Sequence, residues 1–382
     1  MHLSQFVGMV RWVLIHAFGT YDTTSHPRVA VLIEGLRATD VDVIEVNRPL
    51  GLDTAKRVAI LRQPWRLPLF VLRLLACWIG LTIDSVRARQ HGPPDAVLVG
   101  YLGHFDVHLA RILYPRSTIL LDHMVSAAGV ATNRRLASSG DLKHRLMTLI
   151  DAAALSRADV VIVDTEEHRS ALPTRVRPRS VVCPVGASRV WLDAGARGLE
   201  RPTGDPLRVV FVGLFSPTHG TPVIAEALDM LSDDTRIEVT MVGRGQEYSV
   251  TRLLASRNPR VTWFDWVAPE ELPTFVAGFD VSLGIFGTVP QALNVVPTKA
   301  FQGAAAGCVV VTSETEPQRR ALEGASLLVA PGSAAELTAA LRKLAKDPDE
   351  THRLGRAAHA HAGAHYLPSA VVAPLMDRIT SA

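Results

Sequence analysis

Lys299 and Gln302 lie almost one helical turn apart in PTKAFQGAAAGCVVVTS, Pro297–Ser313, where Pro297 prepares a helix and Gly307 ends it. An ammonium in such a place stabilises phosphate in a bound nucleotide and again as negative charge grows on a leaving group. The Gln302 amide, with donor and acceptor atoms, suits ribose hydroxyls. Upstream, VVFVGLFSPTHG at Val209–Gly220 runs an apolar strand into Gly213 and then a loop before the next helix. Free backbone N–H groups and a positive helix end there hold phosphate, with Phe215 in the loop, Ser216 offering a hydroxyl and His219 a hydrogen bond or charge.

Three further junctions repeat the theme. In VTMVGRGQEY, Gly243 and Gly245 bracket Arg244 just beyond a strand, so Arg244 faces either phosphate or solvent. In VTWFDWVAPEELPTF, Trp266 and Val267 stand where a nucleotide base packs, although the aromatic run equally suits a core. Gly284 and Gly287 punctuate the end of another strand, placing backbone groups of Phe286 and Gly287 near the same loop. Each junction is compatible with an ordinary strand-to-helix turn as well as with a nucleotide contact.

These residues need a parallel α/β scaffold, because such sheets bind ligands beyond the carboxyl ends of their strands. The pattern supplies two. RWVLIHAF, VDVIEV, DAVLVG, STILLD, ADVVIVDT and SVVCPVG read as buried strands alternating with helices over residues 1–195. A Gly, Pro and charge-rich join follows at 196–206, and the alternation restarts over 207–366 with LRVVFVG, RIEVTMVG, GFDVSLGIF and GCVVVTS. A last helix, within 367–382, is expected to return to the first domain. The fold class is therefore α/β, with two Rossmann-like doubly wound domains facing a cleft.

The combined motifs VGLFSPTHG, VGRGQEY, WVAPEELP, LGIFG and VPTKAFQGAAAGCVVVT resemble the retaining GT-B glycosyltransferases of family 4, over roughly residues 12–366. The resemblance implies transfer of a sugar from a nucleoside-diphosphate sugar, with UDP- or GDP-sugars favoured, and with no cofactor or catalytic metal. It carries Gly19 and Thr20 to the loop nearest the phosphates or acceptor, Tyr101, Gly103 and His104 to the acceptor side, and Asp122 and His123 to the transferred sugar. There Asp122 and His123 join Lys299 as the catalytic candidates. Two departures from the family pattern stand out. Leu214 and His219 occupy places that usually carry Arg and Lys, and Asn294 and Gln302 replace two glutamates, leaving Asn294 to contact the sugar. A nucleotide-sugar epimerase and an inactive sugar-nucleotide-binding protein are the competing readings.

Composition bounds the partners. Forty Lys/Arg against 37 Asp/Glu leave a formal net charge of +3, which argues against nucleic acid. Cys77, Cys183 and Cys308 form no metal spacing, and no signal-peptide pattern opens the chain, so a cytoplasmic location is expected. A basic helical insertion near 56–91 holds seven Lys/Arg and one acid around the apolar run Leu67–Ile83. Either it packs against the core or it lies on an anionic membrane surface, at the inner face. The acceptor is correspondingly a lipid-linked molecule, a saccharide or a small natural product.

Overall fold

The computed structural model describes residues 14–23, 27–39, 41–51, 65, 67–124, 126–129, 141–201, 206–324 and 326–380. Part of the basic insertion (56–64 and 66) and part of the expected join (202–205) lie outside them.

Six strands form the first sheet: β1 (Leu14–Gly19), β2 (Asp42–Asn47), β3 (Ala96–Val99), β4 (Thr118–Asp122), β5 (Val160–Val163) and β6 (Ser180–Val182). They pair in parallel in the order β2-β1-β3-β4-β5-β6. AVLV of β3 and VVIV of β5 are buried at every position, as a sheet covered on both faces requires. The helices of this half are α1 (Pro27–Arg37), α2 (Leu67–Ala88), α3 (Asp106–Leu113), α4 (Leu142–Arg157), α5 (Glu166–Ala171) and α6 (Arg189–Gly198). Helices α2, α3 and α4 cover one face through Leu81, Val107, Ala110, Ala154 and Leu155. The opposite face packs on α1. The helix between β3 and β4 begins only at Asp106, because Gly103 N–H closes a turn on Gly100 O and Leu102 is left-handed at φ 63°.

The second sheet contains β7 (Leu207–Val212), β8 (Ile237–Val242), β9 (Val261–Phe264), β10 (Val281–Leu283), β11 (Val309–Ser313) and β12 (Ser326–Val329), all parallel, in the order β12-β11-β10-β7-β8-β9. Its helices are α7 (Thr221–Met230), α8 (Tyr248–Leu254), α9 (Leu272–Val276), α10 (Pro290–Leu293), α11 (Thr298–Ala305), α12 (Glu316–Ala321), α13 (Ala334–Lys346) and α14 (Pro348–His365). The strand order reverses between β7 and β10, so the crevice beyond their carboxyl ends opens between the Gly213 loop and the Phe286–Gly287 loop. In the first sheet the reversal lies between β1 and β3, beside Gly19, Thr20 and His104.

Helix α6 begins the passage between the halves and extends to Gly198, burying Trp191, Leu192 and Ala194 in a cluster with Ala300 and Phe301 of α11. The last helix, α15 (Pro368–Thr380), crosses back to the first domain. There Val371, Val372 and Leu375 join the core of Val29, Leu32 and Ile33. Gly35 permits this approach, since a Cβ there would stand 2.1 Å from Pro368 O.

Candidate active site

The C-terminal side is built by glycines that let three loops meet. A Cβ on Gly213, whose φ is +154°, would lie 2.6 Å from Lys299 Nζ; one on Gly220, at φ +62°, would meet Gly287 N at 2.4 Å. Gly243 and Gly287 sit equally tightly, against Gly213 O and Pro217 O. The strand ends are also stitched together: Gly213 N–H donates to Val242 O, Gly243 N–H to Phe264 O, and Phe286 N–H to His219 O.

Lys299, in the first turn of α11, is the electrostatic centre of this half. Its Nζ is enclosed, lies 3.7 Å from the Phe211 ring centroid, and has no hydrogen-bond partner among the described residues. Burial alone pushes its pKa well below the ordinary lysine value. Phe211 supplies a cation–π contact to the protonated form but no acceptor lone pair, so a phosphate oxygen is the type of group these donors fit. An unsatisfied buried ammonium is costly, and a diphosphate is the kind of group that offsets the cost.

The other donor-side candidates divide by what they touch. His219 Nδ1 contacts Leu214 O and its ring stacks edge-on against Phe211, which keeps it within the loop beside Gly213. Ser216 shapes the same loop through its carbonyl, which accepts from His219 and Gly220 N–H. The Phe215 side chain is fully buried against Phe211 and Tyr248, and its N–H and C=O are bonded to Arg244 O and Glu247 N–H, so it frames the loop rather than offering a ligand a free group. Arg244 pairs with Asp265 at 2.6 Å and lies over Tyr248 at the outer edge of the loop. Trp266 is 70% exposed just past β9, while Val267 packs against the core. Gln302 shares a helical face with Lys299, and Asn294 Nδ2 donates to Pro290 O.

On the N-terminal side the polar groups form two buried networks. Asp106 Oδ2 accepts from Thr20 N–H at 2.7 Å and Thr20 Oγ1 at 2.8 Å, while Oδ1 accepts from Trp78 Nε1 at 2.8 Å. This carboxylate holds the Gly19–Thr20 loop in place. Beneath the cleft, Arg28 Nε donates to Asp122 Oδ1 at 2.8 Å, and Arg28 Nη1 donates to the carbonyls of Cys183 and Pro184. Burial raises the Asp122 pKa against the opposing pull of Arg28. Asp122 is thus one half of a buried ion pair, and His123 is the neighbour that continues toward the second domain: Met124 packs on its apolar cluster.

His123 is itself buried, and burial followed by the nearby His104 lowers its pKa to about 4, so its imidazole is neutral near pH 7. Its ring meets His104 at 5.2 Å between centroids, and His104 Nε2 stands 3.0 Å from Asp151 Oδ1. One ligand atom from each of His104, His123 and Asp151 lies within 4.8 Å of the others, a set with the composition of a metal site although the sequence reading assigns none. Asp151 also accepts from Ala127 and Ala128 N–H, which gives it a structural task without any metal. Tyr101 packs at the edge of the N-terminal core, and Gly103 forms the turn that presents His104.

Arg28, Asp106 and Asp151 escape a reading by motif. Asp106 lies two residues after His104 in GHFD, where a carboxylate reads as a helix-start residue; its partner Thr20 is 86 positions away. The two halves meet here directly: Thr165 Oγ1 donates to Asn294 O at 3.1 Å, and Arg320 pairs with Glu167 at 2.6 Å.

Comparison with known proteins agrees with this architecture. Residues 223–377 match the family described as "Glycosyl transferase-like". No curated protein sequence matches. Among solved structures, sucrose-phosphate synthase from Thermosynechococcus elongatus is similar at a TM-score of 0.68 and 17% identity, covering 97% of this chain and 99% of that one. Anabaena HepE in complex with UDP-glucose is similar at 0.64 and 14%, covering 97% and 99%. Its complex with UDP gives 0.63 and 13%, covering 97% and 100%. The family match is confined to residues 223–377, and the chain as a whole shares the two-domain GT-B fold of these structures.

Proposed function

We propose that the protein is a glycosyltransferase that moves a sugar from a UDP- or GDP-sugar to an acceptor hydroxyl with retained anomeric configuration and without a catalytic metal. The observation that carries this reading is Lys299: an enclosed amine with no hydrogen-bond partner among the described residues, at the switch point of the C-terminal sheet and ringed by glycine loops. The similar HepE structures contain UDP and UDP-glucose, which supports a nucleotide-sugar donor.

In this mechanism Lys299 and the Gly213–His219 loop hold the diphosphate, Gln302 the ribose, Trp266 and Val267 the base, and Asn294 the sugar. The bond from the anomeric carbon to the phosphate oxygen breaks, and its electron pair leaves with the diphosphate. The acceptor hydroxyl attacks from the same face, and its proton passes to the departing phosphate oxygen. With Asn294 and Gln302 both neutral, charge stabilisation falls on Lys299 and on positioning rather than on a carboxylate base. Neutral His123 serves as a hydrogen-bond partner of the sugar, and Asp122 positions it through the Arg28 pair.

Intact-mass detection of products, after screening UDP-, GDP-, ADP- and TDP-sugars against lipid and soluble acceptors, tests the reading. A glycosylated product with stoichiometric nucleotide release is expected. Donor conversion without an acceptor would identify an epimerase, and tight binding without turnover a binding protein. Chelator treatment should leave turnover unchanged. Activity lost to chelation and restored by zinc would instead make His104, His123 and Asp151 a working metal site.

A further inference from the structure

Helices α2, α3 and α4 all pack on the same face of the N-terminal sheet, so their outer sides look the same way. Those sides are apolar where solvent-facing helices are ordinarily polar. Leu69, Leu72, Ile79, Ile112, Leu146 and Leu149 are each between 52% and 74% exposed. Contiguous apolar surface of this kind marks an interaction site.

The charge around it has one sign. The acids of these helices turn inward or are paired: Asp106 holds Thr20 and Trp78, Asp151 accepts from Ala127 and Ala128, and Asp84 is bound by Arg48 at 2.6 and 2.9 Å. Exposed charge on these helices is basic: Arg73, Arg145 and Arg157, with Arg87 3.8 Å from Asp84. Helix α2 is long and apolar enough to cross a membrane. Leu74, Leu81, Ser85 and Ala88, however, sink into the domain and hold the helix along the sheet. It therefore lies on its support, with an apolar outer side and a basic rim, the combination that binds anionic lipid.

The same helix adjoins the acceptor side of the cleft. The Phe70 ring meets that of Phe105, next to His104, and Trp78 grips Asp106. We propose that the outer sides of α2, α3 and α4 form a single docking face for an anionic lipid bilayer, which brings the Thr20 and His104 loops toward the lipid surface. This face stands on geometry and charge alone, apart from the donor chemistry.

Sedimentation of the full-length protein with vesicles tests it. Binding is expected to vesicles of phosphatidylglycerol and phosphatidylcholine, weaker to phosphatidylcholine alone, and weaker as salt rises. The double variant Leu72→Glu, Leu146→Glu changes exposed positions only. It should lose about tenfold or more in vesicle partition while retaining its melting temperature and its UDP affinity by calorimetry. Wild-type protein that stays in the supernatant, or a variant that sediments equally, overturns the proposal. A wild-type dimer in light scattering that the variant dissociates, without vesicle binding, would assign the face to a second copy of this chain. Failure of wild-type UDP binding would count against the transferase reading and leave the docking result intact.

Discussion

Lys299 sets the sharpest residue-scale expectations. Lys299→Met removes an enclosed ammonium without leaving a broken pair, so the unliganded protein should melt no lower than wild type. UDP affinity should fall by about 1.5–3 kcal/mol, the range for hydrogen bonds to a charged group, or roughly 10- to 150-fold. Because burial depresses the pKa, the unfolded chain binds a proton that the unliganded fold resists. This contribution to stability is therefore greatest above the ordinary lysine value and declines as pH falls from that value to the depressed one. A bound diphosphate raises the pKa again, so UDP binding above the depressed value should take up a proton. Calorimetry in buffers of different ionisation enthalpy reads that uptake, and Lys299→Met should abolish it. His16 and His123 act with the same sign: both have pKa values lowered to about 4 by burial. Stability should therefore decline between about pH 6.5, the unperturbed histidine value, and about pH 4. Melting temperature against pH checks this, with a shallower slope expected for His123→Asn. Lys299 was legible from its place between Pro297 and Gly307, whereas its enclosure over Phe211 was not, because the two are 88 positions apart and only the fold brings them together.

At the scale of elements, chemistry depends on which strand ends the sheet order brings together. The loops after β7, β8 and β10 were legible because glycine is needed wherever backbones approach this closely, and each loop follows an apolar strand. The Arg28–Asp122 pair was hidden: the two are 94 residues apart, and only packing of α1 beside β4 unites them. Asp122→Asn should accordingly destabilise the fold by about 3–5 kcal/mol, because it leaves the Arg28 charge buried without its partner. Chemical denaturation measures the loss, and Arg28→Met combined with Asp122→Leu should recover part of it. Turnover of Asp122→Asn must then be compared with that of His123→Asn, whose side chain carries no ion pair. A larger kcat loss in the histidine variant, with UDP affinity preserved, places His123 closer to the transferred sugar.

The whole molecule couples its halves through α15 as well as across the cleft. The Thr165–Asn294 hydrogen bond and the Glu167–Arg320 pair, the latter between α5 and α12, join the two halves, but this ion pair is partly exposed and pairs of that kind contribute about 0–1 kcal/mol. Helix α15 is the stronger tie: Val371, Val372 and Leu375 are fully buried in the N-terminal core, and burial of each such side chain is worth about 1.5–3 kcal/mol. Gly35→Val should push this helix away, since even a Cβ meets Pro368 O at 2.1 Å and Val372 Cγ1 at 2.7 Å. Thermal unfolding should show a destabilised N-terminal domain. The Lys299 site belongs to the other sheet, so UDP affinity should remain near wild type. Turnover should fall, because His123 and the Thr20 loop then lose their fixed placement opposite the donor. Equal losses of UDP affinity and turnover in Gly35→Val would show that α15 supports the C-terminal domain itself rather than its alignment with the acceptor side.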